Sequence, residues 1–269
     1  MPFITPRSLL LCLIALLAFA PLLPAAPAQR DAEEIFAQVP RLRPEIISTR
    51  PHDPGAFTQG LELHGNILYE STGQYGKSTL RETNPRTGQV IRAARLPDNA
   101  FGEGITVVAD SVLMLTWRRQ ACIVFDRTSL QPRGQLGYSG EGWGLAYDGT
   151  HLVMSNGTDQ LVFREVESFD VVTSVTVNLL GDPVGHINEL EYVDGFIWAN
   201  VWLTDLILKI DPATGGIVSV VNCEGLLTPE ERAQADVLNG IAYDKATKTF
   251  LITGKKWPKT FEVVFVSDE

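Results

Sequence analysis

Cysteine and histidine are scarce in this sequence. Its 269 residues contain three cysteines and four histidines, and the histidines are isolated from one another. No H-E-x-x-H motif and no Cys/His cluster with zinc-ligand spacing occurs, so a catalytic zinc has no support. Cys12 lies in an N-terminal apolar run, which leaves Cys122 and Cys223 in the rest of the chain. Two cysteines do not make a disulfide framework, and we expect both as buried free thiols.

Basic residues are also in the minority. The chain has 22 Lys and Arg against 32 Asp and Glu, a formal net charge of −10. An acidic chain lacks the basic patch that attracts a phosphate backbone or an anionic lipid surface. We therefore expect no nucleic acid partner, and no membrane partner once the leader described next has been removed.

The first 28 residues have the pattern of an export signal. Arg7 supplies the positive charge, residues 8–20 are an apolar run, and the A-P-A triplet at residues 26–28 fits a cleavage site. The apolar run is short for a membrane span. We predict a signal peptide at residues 1–28 and export to the periplasm or the exterior, with an uncleaved N-terminal anchor as the alternative.

Cleavage after residue 28 would make Gln29 the new N-terminus. We predict a tail at residues 29–43, followed by a single domain at residues 44–269. The loss of Arg7 makes the net charge of the mature chain −11. A monomer is expected.

One short pattern recurs five times in this domain. Each copy has a hydrophobic anchor, an alternating strand, a tight polar turn and a second apolar strand. A third strand follows each pair, and a fourth fits four of the copies. A repeat in the forties with four strands per unit is typical of β-propeller blades. The anchors are Leu61, Ile105, Leu145, Leu190 and Ile241.

The fifth copy ends after its third strand, and residues 44–50 are a candidate for the missing outer strand. Such pairing would close the ring and remove an open sheet edge. The sequence thus predicts an all-β fold, a five-bladed β-propeller with ring closure by the N-terminal strand. One helix is predicted in residues 228–237, where Thr228 can cap, Pro229 suits the first position and Glu231 completes a capping box.

The glycines of residues 140–144, G-E-G-W-G, come at the start of an inner strand. A phosphate loop needs a helix N-terminus after the glycines, so phosphate binding is not expected. The run at residues 137–142 also fails the G-x-S-x-G pattern, because Glu141 stands where the last glycine belongs. A serine triad therefore has little support.

Polar and aromatic residues recur at equivalent places in the copies. Because inner strands surround a propeller axis, these residues should converge on one cavity, which is the usual make-up of a small-molecule site. Packing between blades, solvated rim charges and turn formation are the alternatives for each residue alone. The starts of the inner strands carry Gln59, Glu103, Trp143, Asn188, Glu189 and Asn239, and the ends of the second strands carry Glu70, Trp117, Asn156, Trp202 and Lys255.

At these residues the sequence resembles the plant and bacterial type of glutaminyl-peptide cyclotransferase. The motifs include F-T-Q-G-L-E at 57–62, F-G-E-G-I-T at 101–106, G-E-G-W-G-L at 140–145, I-N-E-L-E-Y at 187–192 and T-G-K-K-W-P at 253–258. The resemblance implies a five-bladed propeller with a site on its axis that needs no metal and no cofactor. It also implies the site residues Phe57, Gln59, Phe101, Glu103, Trp117, Trp143, Asn188, Trp202 and Lys255.

The implied reaction turns the N-terminal glutamine of a peptide or protein into pyroglutamate and releases ammonia. Its α-amine attacks its own side-chain amide, so no external nucleophile is needed. Glu103 would carry the proton, Lys255 and Asn188 would polarise the amide oxygen, and Gln59 would orient the substrate. Lys256 stands where the family more often has an apolar residue, which leaves open which of the two lysines points inward.

Two other functions fit the same residues. A calcium-dependent propeller lactonase would use Glu103, Asn188, Glu189 and Asn239 as oxygen ligands, but that family typically has six blades. A non-catalytic propeller would display a peptide-binding face and would not turn over glutaminyl peptides.

Overall fold

A computed structural model describes residues 38–268, and its architecture is all-β. Strands that are joined by a tight turn pair antiparallel, because short alternating segments fold back on each other. The predicted signal peptide and most of the predicted tail lie outside the described residues. None of the helices within residues 38–268 is long and apolar enough to cross a membrane.

Three sheets of four strands follow one another along the chain. The first contains β2 (Thr58–His64), β3 (Ile67–Thr72), β4 (Thr79–Thr83) and β5 (Val90–Arg95). The second contains β6 (Gly102–Val108), β7 (Ser111–Thr116), β8 (Ala121–Asp126) and β9 (Pro132–Gly137). The third contains β10 (Leu145–Tyr147), β11 (Leu152–Met154), β12 (Gln160–Arg164) and β13 (Val171–Thr176).

A larger sheet holds the N-terminal strand and the C-terminal part of the chain. Its first strand is β1 (Arg41–Pro51), and a two-stranded hairpin of β14 (Asn178–Leu179) and β15 (Asp182–Pro183) precedes the rest. The other members are β16 (Ile187–Val193), β17 (Phe196–Val201), β18 (Leu206–Ile210), β19 (Ile217–Asn222), β20 (Leu238–Asp244), β21 (Thr249–Gly254) and β22 (Lys259–Ser267). The strand order of this sheet is β16-β17-β18-β19-β1-β22-β21-β20.

Strand β1 lies between the two halves of the large sheet. It pairs antiparallel with β22, and Ile46 faces Val263 in the register. The pairing of the N-terminal strand with the last strand is thus confirmed. The strand starts at Arg41, three residues before the predicted segment, and its first residues run parallel to β19.

The inner strands of the sheets contact one another in a cycle. Contacts join β2 to β6, β6 to β10, β10 to β16, β16 to β20, and β20 back to β2. The core fills the spaces between neighbouring sheets, and each buried leucine or isoleucine contributes about 1.5–3 kcal/mol by leaving water. The five predicted anchors Leu61, Ile105, Leu145, Leu190 and Ile241 are all buried there.

The helix α1 (Pro229–Arg232) is one turn long. The predicted capping box is present: Glu231 N donates to Thr228 Oγ1, and Thr228 N donates to a Glu231 carboxylate oxygen. The prediction of a helix over residues 228–237 was too long. Asp236 N donates to Lys255 O and Lys255 N donates to Val237 O, so the chain has already turned into strand pairing.

Candidate active site

Irregular strand pairing places the candidate residues at one end of the inner strands. The register shifts between Thr58 and Gly60 in β2 and between Gly102 and Ile105 in β6. Two further shifts occur, between residues 187 and 190 in β16 and between residues 238 and 241 in β20. A β-bulge bends the strand and redirects a side chain, and bulges are common beside active sites. The skipped residues include Gln59, Glu103, Asn188, Glu189 and Asn239.

The polar candidates form a buried floor. Gln59, Glu103 and Lys255 are each 4% exposed and Asn188 is 2% exposed. The Gln59 side chain lies near enough to the Glu103 carboxyl group to lower its pKa. Buried polar groups of this kind are costly unless partners satisfy them, so such a cluster is unusual as a purely structural feature.

The two titratable groups of the floor, Glu103 and Lys255, influence each other's pKa. Burial raises the pKa of Glu103 well above its usual value, while Lys255 and Gln59 act in the opposite direction and Glu141 adds to the rise. Burial likewise lowers the pKa of the Lys255 ammonium, against the attraction of Glu103 and Asp236. A carboxyl group with a raised pKa can both accept and return a proton near neutral pH.

Aromatic side chains make a half-buried rim above this floor. Phe57 and Phe101 meet edge to face with ring centroids 6.2 Å apart, and Phe101 meets Trp117 at 5.6 Å. On the other side Trp143 meets Trp202 at 5.5 Å. All five are partly exposed, whereas Trp257, a core tryptophan, is 1% exposed.

The floor and the rim are joined at Phe57. The Nζ of Lys255 lies 5.0 Å from the Phe57 ring centroid, and the Nζ of Lys256 lies 5.9 Å from it. Lys255 is buried and its charge acts on Glu103, while Lys256 is half-buried. Of the two lysines, Lys255 therefore has the position that suits an electrostatic role in the floor.

Some buried acceptors lack a partner. Gln59 Oε1, Asn188 Oδ1 and Asn239 Oδ1 have no hydrogen bond within residues 38–268. Almost all buried polar atoms in proteins are paired, and the exceptions call for an explanation such as a ligand site. Asn188 adjoins the rim through its backbone, since a Cβ on Gly144 would lie 2.0 Å from Asn188 O.

The other recurring polar residues make structural contacts. Asn156 Oδ1 accepts bonds from Thr158 in its own turn. Glu189 accepts Leu61 N through one carboxylate oxygen and Ile241 N through the other, so it braces β2 against β20. Asn239 Nδ2 donates to Thr58 O.

One of the residues that a calcium-dependent lactonase would use as a metal ligand is already engaged in hydrogen bonds within the protein. Both carboxylate oxygens of Glu189 hold backbone N–H groups. Within residues 38–268, no three His, Cys, Asp or Glu side chains form a group that could hold a metal ion.

Comparison with known proteins shows the family to which this chain belongs. A family model described as glutamine cyclotransferase matches residues 15–265. A glutaminyl-peptide cyclotransferase of Arabidopsis thaliana is 37% identical over 225 residues, which cover 81% of this chain and 70% of the relative. The chain belongs to the glutamine cyclotransferase family.

A solved structure supports the assignment to the glutamine cyclotransferases. The crystal structure of Myxococcus xanthus glutaminyl cyclase superposes with a TM-score of 0.80 at 38% identity. The match covers 86% of this chain and 100% of that one.

Glu141 is a further candidate site residue of this glutamine cyclotransferase, and the recurring pattern did not single it out. Its Oε2 accepts hydrogen bonds from Trp117 Nε1 at 2.7 Å and from Trp143 Nε1 at 3.1 Å. The available signal was its place in the G-E-G-W run, two residues before Trp143.

A second group of acidic residues was also missed, at the opposite ends of the inner strands. Glu62 and Glu191 line a cavity of about 490 Å³ together with Lys245. Burial raises the pKa of Glu62 to about 7, although Thr106, Val107 N and Lys245 lower it. The signal was the alternation of glutamates with apolar residues in the inner strands, which places them on the face opposite to the core.

Proposed function

We propose that this protein is a glutaminyl-peptide cyclotransferase that acts on peptides or proteins with an N-terminal glutamine. The observation that carries the proposal is the buried Glu103 carboxyl group, with its raised pKa, next to Gln59 and Lys255 and below an open aromatic rim. Family membership and the named relatives support the same substrate class.

The unpartnered acceptors of the floor suit this substrate. An N-terminal glutamine brings an α-amine and a primary amide, and both carry N–H donors. Gln59 Oε1 and Asn188 Oδ1 are buried acceptors without a partner within residues 38–268. Asn188 can pair with the substrate amide through two bonds, accepting at Oδ1 and donating from Nδ2. A site whose polar groups are satisfied only by the correct ligand discriminates strongly against ligands that lack the donors.

The reaction needs one bond formed, one bond broken and one proton moved. The unprotonated α-amine attacks the side-chain amide carbon, and Glu103 takes a proton from the attacking nitrogen. Lys255 and Asn188 stabilise the negative charge on the amide oxygen. Glu103 then gives its proton to the departing nitrogen as the C–N bond breaks, and pyroglutamate and ammonia leave. The rim excludes water that could hydrolyse the amide instead.

The same proposal includes a five-bladed propeller closed by its N-terminal strand. The three four-stranded sheets, the two halves of the large sheet and the cycle of inner-strand contacts support five units around an axis. The pairing of β1 with β22 supports closure by the first strand. In this arrangement the floor residues lie at one mouth of the axial channel.

We further propose that the enzyme is exported, monomeric and independent of metals and cofactors. The leader pattern of residues 1–28 supports export. Protein purified from its own host should then start at Gln29 in the cyclised form, which intact-mass measurement would detect. A retained leader would refute cleavage after residue 28 and favour the uncleaved N-terminal anchor.

The decisive experiment measures ammonia release from a glutaminyl dipeptide, with its Nα-acetylated form as the control. The acetylated peptide cannot attack its own amide and should be inert. A chelator should not change the rate. The Glu103→Gln variant should keep the fold but lose at least about a hundredfold in kcat, the low end for general acid–base catalysis. Loss of activity with chelator would contradict the independence of metals, and absence of turnover would favour a binding protein.

A further inference from the structure

Glu141 lies between the two parts of the aromatic rim. One part is the group Phe57, Phe101 and Trp117, and the other is the pair Trp143 and Trp202. Within residues 38–268, no ring contact joins Trp117 to Trp143. The shared link is Glu141 Oε2, which accepts both indole N–H groups.

An arginine holds the other oxygen of this carboxylate. Arg118 Nε donates to Glu141 Oε1 at 2.9 Å, and the Arg118 guanidinium carbon lies 3.8 Å from the Trp117 ring centroid. Burial raises the pKa of Glu141, but the bonds from Trp143, Trp117 and Arg118 outweigh it, and the net pKa is lowered. The carboxylate is therefore ionised at neutral pH, and bonds to an ionised acceptor are the stronger kind.

The glycines on either side explain why a carboxylate can stand here. Gly140 has φ of +87°, a region that side chains rarely adopt. A Cβ on Gly142 would lie 2.3 Å from Tyr138 Oη, so only glycine fits, and Gly142 N donates to Trp117 O. The tight path brings Glu141 up against Trp117. The Glu and the Trp among the glycines of the G-E-G-W-G run thus form one hydrogen-bonded unit.

We propose that Glu141 is a positioning residue, which fixes the spacing of Trp117 and Trp143 so that the rim accepts the glutamine side chain above Glu103. This inference rests on the proposed function. Glu141 acts through the two indoles and through its charge, and it does not need to touch the reacting atoms.

Two variants separate the effect of the indole hydrogen bonds to Glu141 from the effect of its carboxylate charge. Glu141→Gln keeps an oxygen that can accept both indole N–H groups and removes the charge. Glu141→Ala removes the acceptor oxygen as well as the charge. Glu167→Gln is the matched control, because Glu167 is an exposed carboxylate in the turn between β12 and β13, outside the site.

Steady-state kinetics on a glutaminyl dipeptide give the first test. With Glu141→Ala, we expect kcat/KM to fall about 10- to 100-fold, the range for losing one or two bonds to a charged group. Glu141→Gln should restore most of this loss, and Glu167→Gln should match the wild type.

The pH profile gives the second kinetic test. Glu103 is faced by the charged groups of Lys255 and Glu141, and the negative charge of Glu141 opposes its ionisation. Both variants of Glu141 should therefore move the acidic limb of kcat/KM to lower pH. A purely structural role would leave that limb in place.

A readout without substrate tests the bonds themselves. The chain has five tryptophans, so a ¹⁵N-labelled sample gives five indole N–H resonances. Glu141→Ala should shift two of them, and Glu141→Gln should shift the same two by less.

The outcomes distinguish this inference from the proposed function. Two shifted indole signals together with a kcat/KM loss that Glu141→Gln rescues support the positioning role. An active wild type whose Glu141→Ala variant keeps full kcat/KM, or shows no indole shift, overturns that role alone. An inactive wild type overturns the proposed function and the positioning role together.

Discussion

The replacement of Glu70 by glutamine tests a buried ion pair that fastens the start of the first sheet to the last one. His52 Nε2 lies 2.9 Å from Glu70 Oε1, and the two side chains are 8% and 3% exposed. His52 Nδ1 lies 2.7 Å from Trp257 O. Because both neighbours are acceptors, both ring nitrogens must carry a proton, and His52 is an imidazolium when Glu70 is ionised.

The expected cost of Glu70→Gln is about 3 kcal/mol, the low end for breaking one side of a buried pair. Thr58 Oγ1 also donates to Glu70 Oε1 at 2.7 Å, and a glutamine oxygen can keep that bond. For a domain of this size the same loss lowers Tm by about 6–12 °C. Urea unfolding followed by tryptophan fluorescence would measure the free energy of unfolding.

The loss of unfolding free energy caused by Glu70→Gln should depend on pH in a defined direction. Burial is the largest influence on the pKa of His52 and lowers it, but Glu70 and the Trp257 carbonyl bring the net pKa above 6.5. The stabilisation is therefore complete below pH 6.5 and declines as pH rises through the folded pKa of His52. Burial raises the pKa of Glu70, but His52, Arg81 and Thr58 bring the net pKa below 4.5. The stabilisation from Glu70 is therefore complete above pH 4.5 and declines as pH falls through the folded pKa of Glu70.

The difference between wild type and Glu70→Gln should thus be greatest between about pH 4.5 and 6.5. Glu45→Gln makes the same chemical change at an exposed position of β1 and should cost less than about 0.5 kcal/mol. An equal loss at pH 5.5 and pH 9 would show that His52 is not charged in the folded protein. A loss below about 1 kcal/mol would refute the buried pair as a main fastening.

Two further predictions concern the ends of the inner strands. Glu62, whose pKa is raised to about 7, is easier to ionise in the unfolded chain, so stability falls as pH rises from 4.5 through 7. Glu62→Gln should stabilise by about 1–2 kcal/mol at pH 8.5 and change little at pH 4.5, and equal effects in urea unfolding at the two pH values would contradict the raised pKa. At the other end, Lys255→Met should lower kcat about a hundredfold, as for an oxyanion donor, whereas Lys256→Met should stay within about twofold. The reverse order in the ammonia assay would show that the wrong lysine was chosen.

The strands were predictable because their hydrophobic pattern is local. Leu61 and Leu145 each stand in an alternating run followed by a turn, and both are buried on inner strands. The capping box of Thr228 was equally readable, since its partner lies three residues away. The length of α1 could not be predicted in this way. The helix ends because the backbone at residues 236 and 237 pairs with Lys255, which lies far along the chain.

The details of the site depended on contacts that no local pattern contains. Trp117 and Glu141 are 24 residues apart, and only the folded path of the glycine run brings them together. The bulges that turn Gln59 and Glu103 toward the floor arise from pairing with a neighbouring strand. The residues that recur at equivalent positions of the repeat nevertheless lie close together in the structure. Equivalent positions of a repeat occupy equivalent places around the fold.

The pairing of β1 with β22 makes the two ends of the domain depend on each other. Ser48 Oγ donates to Glu262 Oε2 across 214 residues of chain, and closing so long a loop costs about 2 kcal/mol more than closing one of 15 residues. On the ribosome, β1 is made first and waits for its partner until nearly the whole chain has emerged. Loss of β1 would expose the edges of β19 and β22, and loss of β22 would expose the edges of β1 and β21. Premature termination and N-terminal proteolysis should therefore both produce species with open sheet edges that are prone to aggregate.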